Sequence, residues 1–185
     1  MQLVVPAAEH LPSYKAALER GWSPNNMDCE RHRLRELGEI EADPALFLAQ
    51  MTDREAKAGD IQLPDGSMVK RLPGIRRWMW DGEFCGSIGF RWQDGTEELP
   101  PHLLGHIGYA VVPWKRGQGL SAKAVRAILP EARALGMRYV TLTADADNPA
   151  SLRSIAKAGG VPMGTRAKPA EYQDGEEIEW FRIDL

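Results

Sequence analysis

The first third of the chain carries apolar positions that predict one short strand and then a helix. Leu3-Val4-Val5 is an apolar run that ends at a proline, which favours a brief strand. Over residues 9–20 the apolar positions recur at helical spacing and Gly21 follows as a stop, so a helix is predicted there. Residues 22–28 have a loop composition, and a charged segment follows over residues 29–41.

A further helix and a hairpin are predicted in the middle of the chain. Asp43 before Pro44 is typical of a helix N-terminus, which predicts a second or third helix over residues 44–57. After a loop, residues 75–80 and 83–92 have the composition of strands. The Asp-Gly pair between them is the usual signal for a two-residue hairpin.

The second half of the chain alternates strands and helices. Residues 104–112 and 138–143 are apolar enough for interior strands. Residues 148–158 begin with Asn-Pro and end before two glycines, which predicts a helix. Residues 177–185 alternate polar and apolar side chains, as in a terminal strand with one buried face.

The helix between the two interior strands contains a proline. Its apolar residues form one stripe and Gly136 ends it. Pro130 lies inside it and should kink or split the helix, because proline cannot donate to the carbonyl four residues back. The elements together predict an α/β sandwich with a central mixed sheet.

Composition restricts the chain's size class, location and partners. A length of 185 residues favours a single domain. The net charge of -3 and a pI near 5.8 argue against binding to nucleic acid, which needs a clustered basic face. The sequence has no apolar run of membrane-spanning length and no signal peptide, so a cytoplasmic location without membrane partners is expected. Cys29 and Cys85 are expected to be reduced.

A glycine-rich turn follows the apolar strand at residues 104–112. Gly117 and Gly119 can adopt positive φ and let the backbone approach a ligand closely, and the helix behind them presents unpaired N–H groups. Arg116 adds a fixed positive charge. This arrangement is suited to a pyrophosphate.

Two other interpretations apply to a turn of this composition. A nucleotide-binding P-loop requires a Gly-x-x-x-x-Gly-Lys-Ser/Thr spacing that the sequence lacks. A tight turn without a ligand is the better interpretation of an isolated Arg-Gly-x-Gly. The preceding strand, the following helix and the Asn-x-x-Ser element at residues 148–151 favour an acyl-CoA site instead.

At these residues the chain resembles the GNAT superfamily of acyl-CoA N-acyltransferases. The family's Arg/Gln-x-x-Gly-x-Gly/Ala signature corresponds to Arg116-x-x-Gly119-x-Ser121, with serine in place of the usual glycine or alanine. His-Ile-Gly-Tyr at residues 106–109 and Asp-Asn-x-x-Ser at residues 147–151 resemble the bacterial acetyltransferase branch. The resemblance is good over residues 75–185 and poor over the first 70.

The resemblance implies a fold and different functions for the two parts of a single domain. It implies a three-layer α/β sandwich with a central mixed, mostly antiparallel sheet that splays between its fourth and fifth strands. Residues 75–185 would form the cofactor-binding core, and residues 1–74 would form variable helices on the acceptor side. The cosubstrate would be acetyl-CoA, and no metal is expected.

The resemblance also assigns cofactor contacts. The backbone of the fourth strand would bind the pantetheine arm, the glycine turn would surround the pyrophosphate, and Asn148 would reach the pantetheine or only cap its helix. The implied cofactor-binding residues are Val111, Val112, Arg116, Gly117, Gln118, Gly119, Leu120, Ser121, Ala122, Asn148 and Ser151.

The implied reaction is direct transfer of an acetyl group to a neutral amine, which calls for a general base. His106 is the first candidate because histidine accepts a proton near neutral pH, although a hydrogen-bonded role within the sheet fits equally well. Glu97, Glu98 and His102 precede it and offer an alternative lining of the acceptor side. The two glutamates are equally compatible with a solvated acidic loop.

The general acid is less clear from the sequence. Many relatives place a tyrosine seven residues after the asparagine, where this chain has Ile155. Tyr109 and Tyr172 are candidate replacements, although Tyr109 is equally compatible with core packing. A thiolate can also leave without assistance, because thiol pKa values lie near 8.5.

The acceptor and the assembly state are left open by the sequence. The acceptor would be an amine of a small molecule or peptide, and the acidic loop weakly favours a cationic one. A non-catalytic acyl-CoA-binding module is the alternative from another functional class, because Ile155 and His106 both replace residues expected for catalysis. The chain is expected to be a monomer or a homodimer.

Overall fold

The computed structural model describes residues 1–26, 28–63, 65–169, 172 and 177–185. The N-terminal part contains three helices and four short strands. These are β1 (Gln2–Val4), α1 (Leu11–Glu19), α2 (Cys29–Ala42), α3 (Pro44–Ala49), β2 (Thr52–Asp53), β3 (Ile61–Gln62) and β4 (Met68–Val69). The remainder contains the longer strands and two further helices. These are β5 (Gly74–Trp80), β6 (Phe84–Arg91), β7 (Ile107–Val111), α4 (Leu120–Ala134), β8 (Tyr139–Asp145), α5 (Pro149–Ala158), β9 (Val161–Ala167) and β10 (Glu177–Asp184).

Two antiparallel sheets form the centre of the molecule. One has the strand order β1-β5-β6-β7, with β2 also paired to β5, and the other has the order β8-β10-β9. β3 and β4 form a separate two-stranded ladder. With helices on both faces of the first sheet, the predicted α/β sandwich with a mostly antiparallel centre is confirmed.

β7 and β8 meet at one point and share no ladder within the described ranges. At that point the backbone N–H of His106 donates to the carbonyl of Thr141 over 2.8 Å. Gly105 permits the contact, because a Cβ at this position would lie 3.0 Å from the Thr141 carbonyl oxygen and 3.1 Å from Leu142 Cα. Beyond this point β7 has an edge that no strand of the described residues covers, called the uncovered edge below.

The two faces of the first sheet belong to different hydrophobic clusters. One face, which includes Ile75, Met79 and Ile88, packs against α4 and α5. The other face packs against α1 to α3 through Trp78, whose ring stacks on Tyr14 at a centroid distance of 4.3 Å. Side chains alternate between these faces along each strand, so the register assigns every strand residue to one of them.

Helix α4 runs through Pro130 as one continuous helix, so the split that was offered as one of two expected effects does not occur. Four side chains around the proline, Val125, Ile128, Leu129 and Ala132, are buried in the core. This packing holds the helix on both sides of the lost hydrogen bond, and tertiary contacts commonly outweigh local propensity in this way.

The charged segment at residues 29–41 is helix α2. Its exposed surface carries pairs at helical spacing, including Arg33 Nη2 to Glu30 Oε1 at 2.6 Å. Its inner surface buries only Glu36 and Ile40. The apolar stripe is therefore narrow and interrupted by a carboxylate, so the spacing of apolar residues does not predict this helix.

The helix predicted over residues 44–57 ends much earlier, at Ala49. The chain then pairs Thr52 with Ile75 as strand β2. The Asp53 carboxylate accepts backbone N–H groups of Lys57 at 2.8 Å and Ala58 at 3.0 Å. These bonds stabilise a turn in place of a continued helix.

Two further expectations about strands needed correction. The hairpin between β5 and β6 has a three-residue loop, because the register shifts at a bulge and pairs Trp80 with Phe84. Strand β9 was not predicted, because all seven of its residues are exposed and give no apolar alternation. It is held by pairing with β10.

Candidate active site

The glycine-rich turn leads directly into the N-terminus of α4. Gly117 has φ +80° and Gly119 has φ +70°, a backbone region that favours glycine. Nothing lies within 4 Å of the position of a Cβ on either residue, so the turn borders open space. Gly119 is the N-cap of α4 and provides no side-chain cap. The first N–H groups of the helix are therefore directed at a site that fits an anion.

The residues that follow the turn divide between the core and the site. Leu120 and Ala122 are buried by their side chains, so they can offer only backbone N–H groups to a ligand. Ser121 is partly exposed and Gln118 is exposed. The serine in place of the family's usual small residue therefore lies at the surface of the turn, where its hydroxyl is accessible.

The two valines that were expected to bind pantetheine differ in which edge of β7 their backbone faces. Arg91 N–H donates to the His106 carbonyl, and Val112 N–H donates to the Cys85 carbonyl, over 2.9 and 3.0 Å. These bonds place the backbone polar groups of even-numbered β7 residues toward β6. Val111 therefore presents its backbone to the uncovered edge, whereas the N–H of Val112 is already used. Tyr109, which was not expected to contribute its backbone, faces the same edge as Val111.

Arg116 turns back toward this edge. Its Nε donates to the carbonyl of Val111 over 3.3 Å. The guanidinium thus lies between the glycine turn and the end of β7. A contact of Arg116 with phosphate remains a prediction, and it would require the side chain to exchange this neutral acceptor for a charged one.

Tyr109 and Ser151 bridge the gap between β7 and α5. The phenolic oxygen of Tyr109 lies 2.9 Å from Ser151 Oγ. Asn148 caps α5, because its Oδ1 accepts the backbone N–H of Ser151 over 3.0 Å. Burial raises the pKa of Tyr109, and the Ser151 contact opposes that shift only in part, so the phenol is protonated at neutral pH.

His106 is 1% exposed and lies where the two sheets meet. Its Nδ1 accepts the backbone N–H of Thr141 over 3.0 Å and lies 2.9 Å from Thr141 Oγ1. Burial, and next the positive charge of Arg91, lower the pKa of His106 to about 4, while Glu97 opposes the shift. The ring is therefore neutral at pH 7, with its proton on Nε2. This geometry disfavours the predicted role of His106 as a general base in contact with the acceptor.

The other acid and base candidates lie at the same end of β7. Tyr172 donates its hydroxyl to the backbone carbonyl of His102 over 3.0 Å. The Glu97 carboxylate binds Arg138 at both oxygens, at 2.9 and 3.1 Å, and this lowers the pKa of Glu97 to about 2. Glu97 thus holds the loop to the start of β8, and Glu98 is exposed. Ile155, at the position where relatives have tyrosine, is fully buried in the core.

Two arginines that were not predicted from the sequence lie on the face of the first sheet that packs against α1 to α3. Arg76 and Arg91 share this face by register. Arg76 Nη1 lies 3.0 Å from Glu36 Oε1, and Tyr14 donates its hydroxyl to the other oxygen of the same carboxylate. The sequence did contain a signal for them, namely charged residues within otherwise apolar strands. Burial of a charge costs free energy unless the charge is paired or binds a ligand.

Other candidate features lie elsewhere. A cavity of about 240 Å³ is lined by residues 92–97 and 135–137, at the opposite end of α4 from the glycine turn. In the described part of the chain, no three His, Cys, Asp or Glu side chains are grouped to hold a metal ion. None of the helices within the described ranges has the length and apolar character needed to cross a membrane.

Comparison with protein families gives one match. The model of the acetyltransferase (GNAT) domain matches residues 31–161, which is more than two thirds of the chain. A search of curated proteins finds no match.

Solved structures with a similar fold include three acetyltransferases. The microcin C7 self immunity acetyltransferase MccE, in complex with acetyl-CoA and AMP, has a TM-score of 0.63 and 13% identity over 99% of this chain and 91% of that chain. RimL, a ribosomal L7/L12 alpha-N-protein acetyltransferase in complex with coenzyme A, has a TM-score of 0.62 and 16% identity over 99% and 93%. A variant of the spermidine N-acetyltransferase SpeG from Vibrio cholerae has a TM-score of 0.55 and 11% identity over 100% and 95%. At these identities the likeness concerns the fold.

Proposed function

Because the chain belongs to the GNAT acetyltransferase family, we propose that it transfers an acetyl group from acetyl-CoA directly to a primary amine of a small molecule or peptide. The observation that carries this proposal is the open glycine turn at the uncapped start of α4, next to the uncovered edge of β7. The backbone N–H groups at the helix start and a strand edge outside any described ladder are adjacent there, which suits a ligand with a pyrophosphate and an amide-containing arm.

The residues around the turn have distinct tasks in this proposal. The N–H groups of Leu120, Ser121 and Ala122 bind phosphate oxygens, because the first turn of a helix has no internal acceptors for them. The backbone of Tyr109 and Val111 binds the amides of the pantetheine arm. Acetyl-CoA supplies an activated acyl thioester when it is bound.

Tyr109 is our candidate for the general acid. Its protonated phenol lies beside Ser151 at the gap between β7 and α5, where the pantetheine arm would pass. Burial keeps the pKa of the phenol raised, so the group retains a proton that it can donate to a leaving thiolate. Ser151 orients the hydroxyl. Tyr172 lies farther along, at His102, and remains the second candidate.

We assign His106 a positioning role. Its buried, neutral ring holds Thr141 and so fixes the point from which β7 and β8 diverge. The acceptor amine must then be neutral when it attacks. For a lysine-like amine at pH 7 deprotonation costs about 4.6 kcal/mol, which the site has to offset by selecting the neutral form or by another base.

Thermal unfolding with coenzyme A tests the proposed cofactor site. Saturating coenzyme A at 100 times its dissociation constant stabilises a binding protein by about 2.7 kcal/mol, so acetyl-CoA and coenzyme A should raise the midpoint and ATP should not. Gly119→Asp should abolish the shift, because a carboxylate at the turn repels the pyrophosphate. Gly136→Asp is the matched control: Gly136 also has positive φ, at +76°, and also borders open space, but it lies at the far end of α4.

The outcomes separate the proposal from its alternatives. An equal coenzyme A shift in both variants would reject the turn as the cofactor site. A shift without acetyl transfer to any amine would favour the non-catalytic acyl-CoA-binding module, for which the absence of a tyrosine at Ile155 is the supporting observation.

A further inference from the structure

Four residues form a shallow surface on the face of the first sheet that packs, farther along, against α1 to α3. We call this surface the Arg91 groove, and its residues are Gly89, Arg91, Gly108 and Ala110. All four are partly exposed, whereas Trp78 on the same face is buried under α1. The glycines carry no side chains, so the floor of the groove is backbone. The guanidinium lies over that floor, since Nη2 of Arg91 is 3.3 Å from the position of a Cβ on Gly108.

The two arginines of this face differ in their partners. Arg76 is neutralised by Glu36, whose carboxylate is 2% exposed. Arg91 makes no ion pair and no side-chain hydrogen bond with any residue that the structure describes. Burial, and next the neighbouring charge of Arg76, lower the pKa of Arg91, and Tyr172 opposes the shift. A guanidinium cannot lose its proton at physiological pH, so a desolvated cation persists without a counter-ion among the residues that the structure describes.

The groove borders the proposed site of transfer. Gly108 and Ala110 alternate along β7 with Tyr109 and Val111, whose backbone faces the uncovered edge. A ligand in the groove is therefore separated from a ligand at that edge by the thickness of one strand. An acceptor amine has to occupy such a neighbouring position to reach a thioester.

We propose that Arg91 is the acceptor-binding residue and that it selects amines that also carry an anionic group, a carboxylate or a phosphate. The proposal rests on the proposed acetyltransferase function and names the class of its acceptor. Arginine binds both anions in a bidentate manner, and such charged hydrogen bonds are stronger than neutral ones. A second cation in the groove would be repelled, so polyamines are excluded from this class. This replaces the weak expectation of a cationic acceptor, because Glu97 of the acidic loop is engaged by Arg138.

Matched acceptor pairs test this selection. The pairs are β-alanine with its amide, aspartyl-alanine amide with asparaginyl-alanine amide, and O-phosphoethanolamine with ethanolamine, and spermidine is the cationic reference. We expect kcat/KM to be about 10- to 100-fold higher for the anionic member of at least one pair, as charged hydrogen bonds suggest. The carboxylate and phosphate pairs show which anion is preferred.

Variants of Arg91 connect the selection to this side chain. Arg91→Met should reduce the preference to near unity, and Arg91→Lys should keep part of it, because lysine retains the charge without the fork. Arg133→Met, at an exposed arginine of α4, should keep the wild-type preference. The midpoint shift caused by coenzyme A should persist in Arg91→Met, which shows that this variant is folded and binds the cofactor.

A stability measurement gives a readout independent of the acceptor. Without acceptor, Arg91→Met should unfold at or above the wild-type midpoint, because it removes a desolvated charge that no described residue pairs with. Arg76→Met should unfold below it, because it leaves the Glu36 carboxylate without its cation. A lowered midpoint for Arg91→Met would mean that Arg91 has a structural role, and it would overturn the proposal.

The remaining outcomes also discriminate. An enzyme that binds coenzyme A and acetylates only spermidine, only neutral amines, or none of the anionic amines contradicts the acceptor class and leaves the cofactor site standing. The absence of both a coenzyme A shift and any transfer rejects the proposed function itself.

Discussion

At the scale of single residues, the site depends on polar groups that have one partner or none within the described part of the chain. Tyr109 shares its hydroxyl with Ser151, and Arg116 donates to the Val111 carbonyl. Such groups can exchange a weak neutral contact for a stronger one with a charged ligand. His106 is the opposite case, because its Nδ1 is committed to the backbone of Thr141. The difference distinguishes residues that can act on a ligand from residues that hold the scaffold.

Tyr109→Phe tests the proposed general acid. The substitution removes the hydroxyl that lies 2.9 Å from Ser151 Oγ and keeps the ring in its packing position. If the phenol protonates the leaving thiolate, kcat should fall by about 100-fold or more. The free energy of unfolding should fall by only about 1 kcal/mol, the usual value of one hydrogen bond. Steady-state kinetics with acetyl-CoA and denaturant unfolding measure the two effects.

Tyr139→Phe is the control for this experiment. Tyr139 is also partly exposed, and its ring packs under Arg182 at 4.1 Å from the guanidinium carbon, on β8 rather than at the gap. The loss of the Tyr139 hydroxyl should leave kcat near the wild-type value. A Tyr109→Phe enzyme with more than half of the wild-type kcat would show that the thiolate leaves without this acid.

At the scale of elements, local signals decided what could be predicted. The turn at Gly119 depends on its own backbone, and the cap at Asn148 is a side-chain bond to a residue three positions along the chain, so residue type and order were sufficient. Helix α2 depends on long-range contacts of Glu36 with Arg76 and Tyr14, which adjacent residues do not reveal. The exchange of Val112 for Tyr109 at the β7 edge follows from ladder register, which is set by pairing with β6. The Arg91 groove is likewise produced by register across two strands, β6 and β7.

Helix α4 provides a prediction at this scale. Pro130 is exposed and leaves the helix without one backbone hydrogen bond to the Arg126 carbonyl. Pro130→Ala restores that donor on the solvent side without changing the buried stripe. The free energy of unfolding should rise by about 1–3 kcal/mol, within the range that separates proline from alanine in helices. Denaturant unfolding at constant pH measures the change.

Arg133→Ala, at another exposed position of α4, should change the free energy of unfolding by less than about 0.5 kcal/mol. If Pro130→Ala were neutral or destabilising, the backbone around residue 130 would be bent into a form that alanine does not favour. That result would mean that the proline shapes the helix instead of being tolerated by it.

At the scale of the whole molecule, His106 joins the two sheets at the contact between β7 and β8. Its backbone N–H bonds to the Thr141 carbonyl, and its ring accepts the Thr141 N–H. Protonation of Nδ1 would remove the acceptor and place a charge in a buried position beside Arg91. Folding therefore favours the neutral ring, which is why the pKa of His106 falls to about 4 from an ordinary value of 6.5.

This linkage predicts a pH dependence of stability with a defined sign. The unfolded chain binds a proton at this histidine below about pH 6.5, and the folded chain does so only below about pH 4. Stability from His106 is therefore fully present above pH 6.5 and is lost as the pH falls toward 4, by up to about 3 kcal/mol. Denaturant unfolding of wild type and His106→Asn at pH 7, 5.5 and 4.5 isolates this contribution, because asparagine offers an acceptor to Thr141 and does not titrate.

His106→Asn should be less stable than wild type at pH 7, because the smaller side chain leaves a cavity, but its free energy of unfolding should fall less steeply on acidification. His102→Asn, at a partly exposed position, should follow the wild-type pH dependence. Parallel losses in wild type and His106→Asn between pH 6.5 and 4 would contradict the linkage. In that case the junction of the two sheets would depend on the backbone contact at Gly105 and His106, and the imidazole would contribute no pH sensitivity to the gap in which the cofactor is proposed to bind.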